Sequence, residues 1–244
     1  MTEQRDLEGL GALVTGATSG IGRAAAEELA RHGAEVVVHG RDADRGRAVV
    51  DAITAEGGKA RFAAADLSHP AGLDDLVQQA GTVDVLVNNA GFSWFGPTAD
   101  LDVATFDQLF AANVRAPYFL VAALAPKMAA RGSGSIINLG SMSGQIGLAG
   151  GAAYGATKAT LASMTRSWAA EFSPSGVRVN AIAAGPVLTG GAAPDRIEAL
   201  GATTLLARAA QPAEIANVIV FLASPKASYV TGAVFAADGG RTAI

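Results

Sequence analysis

The chain has 244 residues, half of them hydrophobic and only 16% charged, with a net charge of −4 and a pI near 5.4. That length and apolar content fit one α/β domain with a large core and exclude a disordered chain, while the acidic balance leaves no basic footprint for nucleic acid. The absence of cysteine excludes disulfides, thiolate metal sites and cysteine nucleophiles, and His32, His39 and His69 are too scattered for a metal site or a histidine triad.

Short β-branched runs alternate with longer helical patterns from end to end. Strands are expected at 12–15, 36–39, 61–64, 83–87, 135–139, 178–183 and 233–236. Helices are expected at 21–32, 43–56, 70–80, 102–130, 153–172 and 212–223. This order predicts parallel βαβ units: a three-layer α/β/α, Rossmann-like doubly wound sheet of about seven parallel strands with helices on both faces. The strand runs are nearly continuous in Val, Ile, Leu and Ala, as a sheet covered on both faces requires. No linker, repeat or composition shift interrupts residues 1–244, so a single domain is expected. Residues 1–8 are polar and mixed in charge, unlike a secretory signal. No run of about 18 apolar residues suggests a membrane span. A cytoplasmic location is expected.

Between the first strand and first helix lies Thr15-Gly16-Ala17-Thr18-Ser19-Gly20-Ile21-Gly22. Its GxxxGxG spacing allows a tight turn and lets backbone N–H groups approach a pyrophosphate at the helix N-terminus. The second strand ends Val38-His39-Gly40-Arg41. Dinucleotide folds that hold a ribose 2′-OH place an acid there. Here Gly40 occupies that place, Arg41 offers a fork to a 2′-phosphate, and Asp42 stands one residue late, where it can cap the next helix. NADP(H) is expected over NAD(H). Further on, Tyr154 and Lys158 are four apart in a predicted helix, which stacks a phenol beside an ammonium on one face. A unit charge at 4 Å is worth about 4 kcal/mol at an effective dielectric of 20, enough to bring a phenol of pKa about 10 close to neutrality.

Further segments follow in order: Asn88-Asn89-Ala90-Gly91 after the fourth strand, Asn113 in a long helix, and Ser141 thirteen residues before Tyr154. A late Val179-Asn180-Ala181-Ile182 leads to Gly185 and Thr189. Together with the glycine loop and YxxxK, these resemble the short-chain dehydrogenase/reductase family over essentially the whole chain. The branch they look closest to contains 3-oxoacyl-[acyl-carrier-protein] reductases and related carbonyl reductases.

The resemblance implies an NADP(H)-dependent oxidoreductase that moves hydride between nicotinamide and a small carbonyl or secondary alcohol. Tyr154 would be the general acid or base, Lys158 would lower its pKa and bind the nicotinamide ribose, and Ser141 would polarise the substrate oxygen. Asn113 would hold a relay water. The cofactor would lie against Gly16, Thr18, Ser19, Gly20, Ile21, Gly22, Arg41, Asp66, Leu67, Asn88, Ala90 and Gly91. Asp66, which could instead be a turn or capping acid, would take the adenine amino group. Gly185, Val187 and Thr189 would cover the nicotinamide, with Ala184 standing where the family often has proline. Trp94, Gln145, Ile146 and Leu188 would wall the substrate, and 189–207 reads as a mobile lid. Arg115 and Lys127 read as ordinary helix-surface charges. No metal is expected, nor a nucleic-acid or membrane partner, and family analogy implies a homotetramer. Two alternatives stay open: an NAD-dependent sugar, polyol or alcohol dehydrogenase, and a dinucleotide-sensing regulatory protein on the same fold.

Overall fold

A computed structural model describes residues 5–191 and 193–244; residues 1–4, and Ala192 within the expected lid, lie outside them. Seven parallel strands form one sheet in the order β3-β2-β1-β4-β5-β6-β7. They are β1 (Gly11–Val14), β2 (Glu35–Gly40), β3 (Lys59–Ala64), β4 (Val85–Asn88), β5 (Gly134–Leu139), β6 (Val177–Ala184) and β7 (Val234–Ala237). Each lies within two residues of its expected position.

Alternation along the strands explains the layers. Val14, Val36, Val38, Val85 and Val87 pack beneath α1 (Gly20–Arg31), α2 (Ala43–Ala55) and α8 (Pro212–Ala223). Leu13, Val37, Leu86, Ile136 and Val179 face the opposite way, onto α3 (Pro70–Ala80), α5 (Ala116–Ala130) and α6 (Ala152–Phe172). Both faces are therefore buried, as the apolar strands require. The strand order reverses between β1 and β4, so a crevice opens at their carboxyl ends, where open α/β sheets bind ligands.

The long helix expected at 102–130 is divided. It runs as α4 (Val103–Phe110), a π-helical turn Ala111–Arg115, and α5. Pro117 supplies a cause: it has no N–H for the carbonyl four residues back, that of Asn113, and its ring would clash with it. The widened turn relieves that conflict and turns Asn113 inward, where it is buried. Within 189–207, a short helix α7 (Pro194–Gly201) stands where no helix was expected. Pro194 at its start and Asp195 in its first turn are ordinary helix-start signals.

Candidate active site

The glycine loop is built to receive a phosphate. Gly16 and Gly20 have φ of +63° and +54°, a region that favours glycine. A Cβ on Gly16 would lie 2.9 Å from the Ala90 Cα, and one on Gly22 would lie 2.3 Å from both Asn89 Nδ2 and the Gly16 carbonyl. Ser19, the residue before α1, makes no side-chain cap, and no acid sits in the first turn. The first N–H groups of α1 are thus left for an anion. Replacing Gly22 by Ala is expected to push the Asn89 amide and the loop carbonyl apart. A cost of about 1–3 kcal/mol for such overpacking, taken up in the cofactor-binding geometry, corresponds to about 5- to 150-fold weaker NADPH binding, read by fluorescence titration.

A cleft of about 1000 Å³ opens over this loop. Of the expected cofactor residues, Gly16, Thr18, Ser19, Gly20, Ile21, Arg41, Asp66, Leu67, Ala90, Gly91 and Thr189 line it. Arg41 forms no ion pair among the described residues, although its charge acts on Asp66 across the cleft, whereas Asp42 accepts hydrogen bonds from Asp44 N and Arg45 N and so caps α2. Asp66 accepts from Ser68 N at 3.0 Å, which holds its carboxyl below the usual range and leaves acceptor capacity toward the cleft.

Asn88 is a correction. In period-2 alternation it shares the face of Leu86, and its buried side chain donates to Asn138, its register partner, at 2.9 Å, away from the cleft. Asn89 takes the expected place, lining the cleft and donating from Nδ2 to the Thr15 and Gly16 carbonyls. His39 was also missed. It lines the cleft, buried, with Nδ1 accepting from Gly16 N at 3.1 Å and Nε2 facing the Ala65 carbonyl at 3.2 Å. Burial lowers its pKa to about 4, so the neutral ring ties the loop to β2 and β3. Arg115 is likewise more than a surface charge: it lines the cleft and donates to the Ser68 carbonyl.

Ser141, Tyr154 and Lys158 stand outside that cleft, on elements leaving the same sheet edge. Glycines bring them together. A Cβ on Gly144 would lie 2.8 Å from Ala159 N, and one on Gly155 would lie 2.6 Å from the Ser143 carbonyl, so the turn after Ser141 lies flat on α6. Lys158 is buried and donates to the Leu139 carbonyl at 2.7 Å, its one protein partner among the described residues. Burial lowers its pKa to about 8. The ammonium lies 5.7 Å from the Tyr154 ring centroid.

The expectation that Lys158 depresses the Tyr154 pKa is not met. Burial pushes the phenol above its ordinary value, and its interaction with the Ser141 hydroxyl pulls the other way. Ser143 donates its backbone N–H to Ser141 Oγ at 3.2 Å, which makes it a support for Ser141. Asn113 accepts from Phe92 N at 3.1 Å and donates to the Phe92 carbonyl and to Thr157 Oγ1. Its side chain thus fastens the loop after β4 to α6.

On the nicotinamide side, Leu188 N donates to Ala210 O and Ala210 N to Pro186 O, while Val187 N and O take no partner among the described residues. Gly185 packs against Asp238: a Cβ there would lie 2.6 Å from the Asp238 Cα. Trp94, Ile146 and Leu188 are half-buried and Gln145 is exposed. Phe95 packs on Tyr154, with ring centroids 5.6 Å apart.

The model of the family described as Enoyl-(Acyl carrier protein) reductase matches residues 16–242. A solved structure described as a short chain dehydrogenase/reductase family protein is 51% identical, covering 98% of this chain and 100% of its own, with a TM-score of 0.91. The chain belongs to the short-chain dehydrogenase/reductase family. Among its curated relatives is the cis-4-hydroxycyclohexanecarboxylate dehydrogenase of Sinomonas cyclohexanicum, 38% identical over 241 residues, with 96% of each chain covered. The crystal structure of the angucycline C-6 ketoreductase LanV with bound NADP is 33% identical, covers 98% of both chains and has a TM-score of 0.92. As a short-chain dehydrogenase/reductase, the protein is an oxidoreductase acting on alcohol or ketone substrates with a nicotinamide cofactor.

Proposed function

We infer that this chain, acting as one domain, is an NADP(H)-dependent oxidoreductase that interconverts a small ketone or aldehyde and its alcohol. The observation that carries the reading is the buried Lys158 ammonium beside Tyr154, with Ser141 acting on the same phenol. The nicotinamide supplies or accepts the hydride when bound. Tyr154 holds its proton at the substrate oxygen and gives it up as the carbonyl becomes an alkoxide; the Ser141 hydroxyl steadies that oxygen. Lys158 has two N–H donors beyond the one used by Leu139, which suit ribose hydroxyls. Asn113, which ties the loop after β4 to α6, fits a positioning role beside the relay water that the family resemblance implies. Val187 N and O suit a carboxamide. LanV, described with bound NADP, and cis-4-hydroxycyclohexanecarboxylate dehydrogenase, named for an alicyclic alcohol, support the reading.

NADP preference rests on Arg41, which lines the cleft without an ion-pair partner among the described residues, and on the absence of an acid at Gly40. Arg41→Ala should lower kcat/KM for NADPH by about 10- to 100-fold, the worth of a charged hydrogen bond, with NADH little changed. Equal or tighter NADH binding by the parent would favour the NAD-dependent alternative. A panel of ketones, aldehydes, β-keto esters and sugars, followed by NADPH consumption, tests the activity itself.

Self-association is part of the same reading. Residues 103–130 are long enough to span a membrane and contain an 18-residue window with a mean hydropathy of 1.3. The π-turn divides them, and Leu120, Val121, Leu124 and Met128 are buried in the core. Val103, Phe106, Tyr118 and Phe119 remain exposed on α4 and α5, a face suited to a second copy in a homotetramer. A cytoplasmic location fits this reading.

A further inference from the structure

Arg196 lies in the first turn of α7, with its guanidinium 4.8 Å from the centroid of the Phe95 ring. Phe95 in turn packs on Tyr154 at 5.6 Å, so the cation stands one ring removed from the proposed acid. Phe95 is fixed there: a Cβ on Gly151 would lie 2.7 Å from its Cε1.

Beyond the Phe95 ring, no partner among the described residues accounts for the arginine. It has no carboxylate partner among the described residues, and its side chain is exposed. A cation in the first turn also opposes the helix dipole, so it does not serve the stability of α7. Glu198 is two positions on, about 200° around the helix, and so points away. The loops that wall the substrate side, 92–96, 141–151 and 186–191, carry no charged residue. Arg196 is therefore the sole cation that these segments and α7 offer.

We propose that Arg196 binds an anionic group on the substrate, so that the preferred substrates are ketones or secondary alcohols bearing a carboxylate about one ring's width from the reacting carbon. This deepens the carbonyl-reductase reading and rests on it. A guanidinium presents a planar fork to a carboxylate while its face stays on Phe95, so the aromatic contact pre-orients the fork. The reacting oxygen would then meet Tyr154 while the carboxylate is held at the lid, with Phe95 as the wall between. The redox step is unchanged: hydride and proton go to the carbonyl carbon and oxygen, and the carboxylate takes no part.

The test compares 4-oxocyclohexanecarboxylate with its uncharged methyl ester in the parent, Arg196→Gln and Arg196→Lys. The parent should favour the acid by about 10- to 100-fold in kcat/KM, mainly through KM. Arg196→Gln should reduce that ratio to near one, and Arg196→Lys should retain part of it. A ratio that survives in Arg196→Gln, or a parent that does not distinguish acid from ester, would overturn the proposal. A binding arm keeps the two readings separate: cyclohexanecarboxylate titrated against the NADPH-loaded protein should bind the parent about tenfold more tightly than Arg196→Gln. That difference without turnover of any carbonyl would support Arg196 and sink the reductase reading. Turnover of neutral ketones with no such difference would do the reverse.

Discussion

Replacing Tyr154 by Phe should lower carbonyl reduction by about 10²- to 10⁴-fold, the usual worth of a positioned general acid, and leave NADPH affinity within about twofold. The substitution keeps the ring that packs on Phe95 and deletes only the hydroxyl. The dinucleotide cleft is lined by other residues, so cofactor binding has little reason to change. Loss should fall on kcat and kcat/KM alike, because the proton is needed only as the oxygen gains charge. Burial raises the Tyr154 pKa, so the protonated phenol dominates throughout the neutral range. Reduction should therefore be nearly flat there and decline only on the alkaline side, while alcohol oxidation, which needs the phenolate, rises with pH. Turnover of Tyr154→Phe within tenfold of the parent would remove Tyr154 from this role.

The sheet was legible in the sequence because a strand buried on both faces is written as an unbroken apolar run. Val36-Val37-Val38 admits hardly any other reading once helices flank it on either side. The π-turn was not legible, since 102–130 keeps one helical pattern throughout. Pro117 was the signal, through its conflict with the Asn113 carbonyl. Helix α7 was missed because its small residues read as a loop, although Pro194-Asp195 marks a helix start.

Within the site, residue types were legible where chemistry demands a particular group and illegible where orientation decides. Gly16 and Gly20 lie in the cleft, and Ser141 and Lys158 stand beside Tyr154. Asn88 and Asn89 are neighbours of identical chemistry, and only the alternation along β4 sends the first to Asn138 and the second to the loop. His39 carries no motif at all: its role comes from Gly16 and Ala65, distant in sequence, converging on its two nitrogens. The acidity of Tyr154 was misjudged for a related reason. Spacing gives the proximity of an ammonium but not the loss of water around the phenol, and here desolvation raises the phenol's pKa against the pull of the Ser141 hydroxyl.

That same desolvation falls on Lys158, and Lys158→Met should yield a protein that is inactive yet more stable without cofactor. In the unfolded chain the lysine titrates at 10.5, and in the folded protein at about 8. Below pH 8 both states hold the proton and the folded state bears the whole desolvation cost, about 3 kcal/mol at 1.36 kcal/mol for each tenfold change in proton affinity. Between pH 8 and 10.5 the folded state releases its proton first. The unfolded state then binds more protons, so this group's contribution makes stability rise with pH. Above 10.5 neither state is charged and the cost is gone. Methionine keeps an unbranched stem without the charge and loses the bond to the Leu139 carbonyl, worth about 1 kcal/mol. The net gain should be about 2 kcal/mol at pH 7, read as a higher urea midpoint, should close at about pH 10 and should reverse above 10.5, where only the lost hydrogen bond remains. A variant no more stable than the parent at pH 7, or a gap independent of pH, would show that the ammonium is not held at such a cost. Saturating NADPH should narrow or invert the gap, because ligand bound only by the folded state stabilises whichever protein binds it better, and the variant lacks the donors for the ribose. A buried ammonium that weakens the empty protein and strengthens the loaded one is kept for what it does to the bound dinucleotide, at the expense of the fold that holds it.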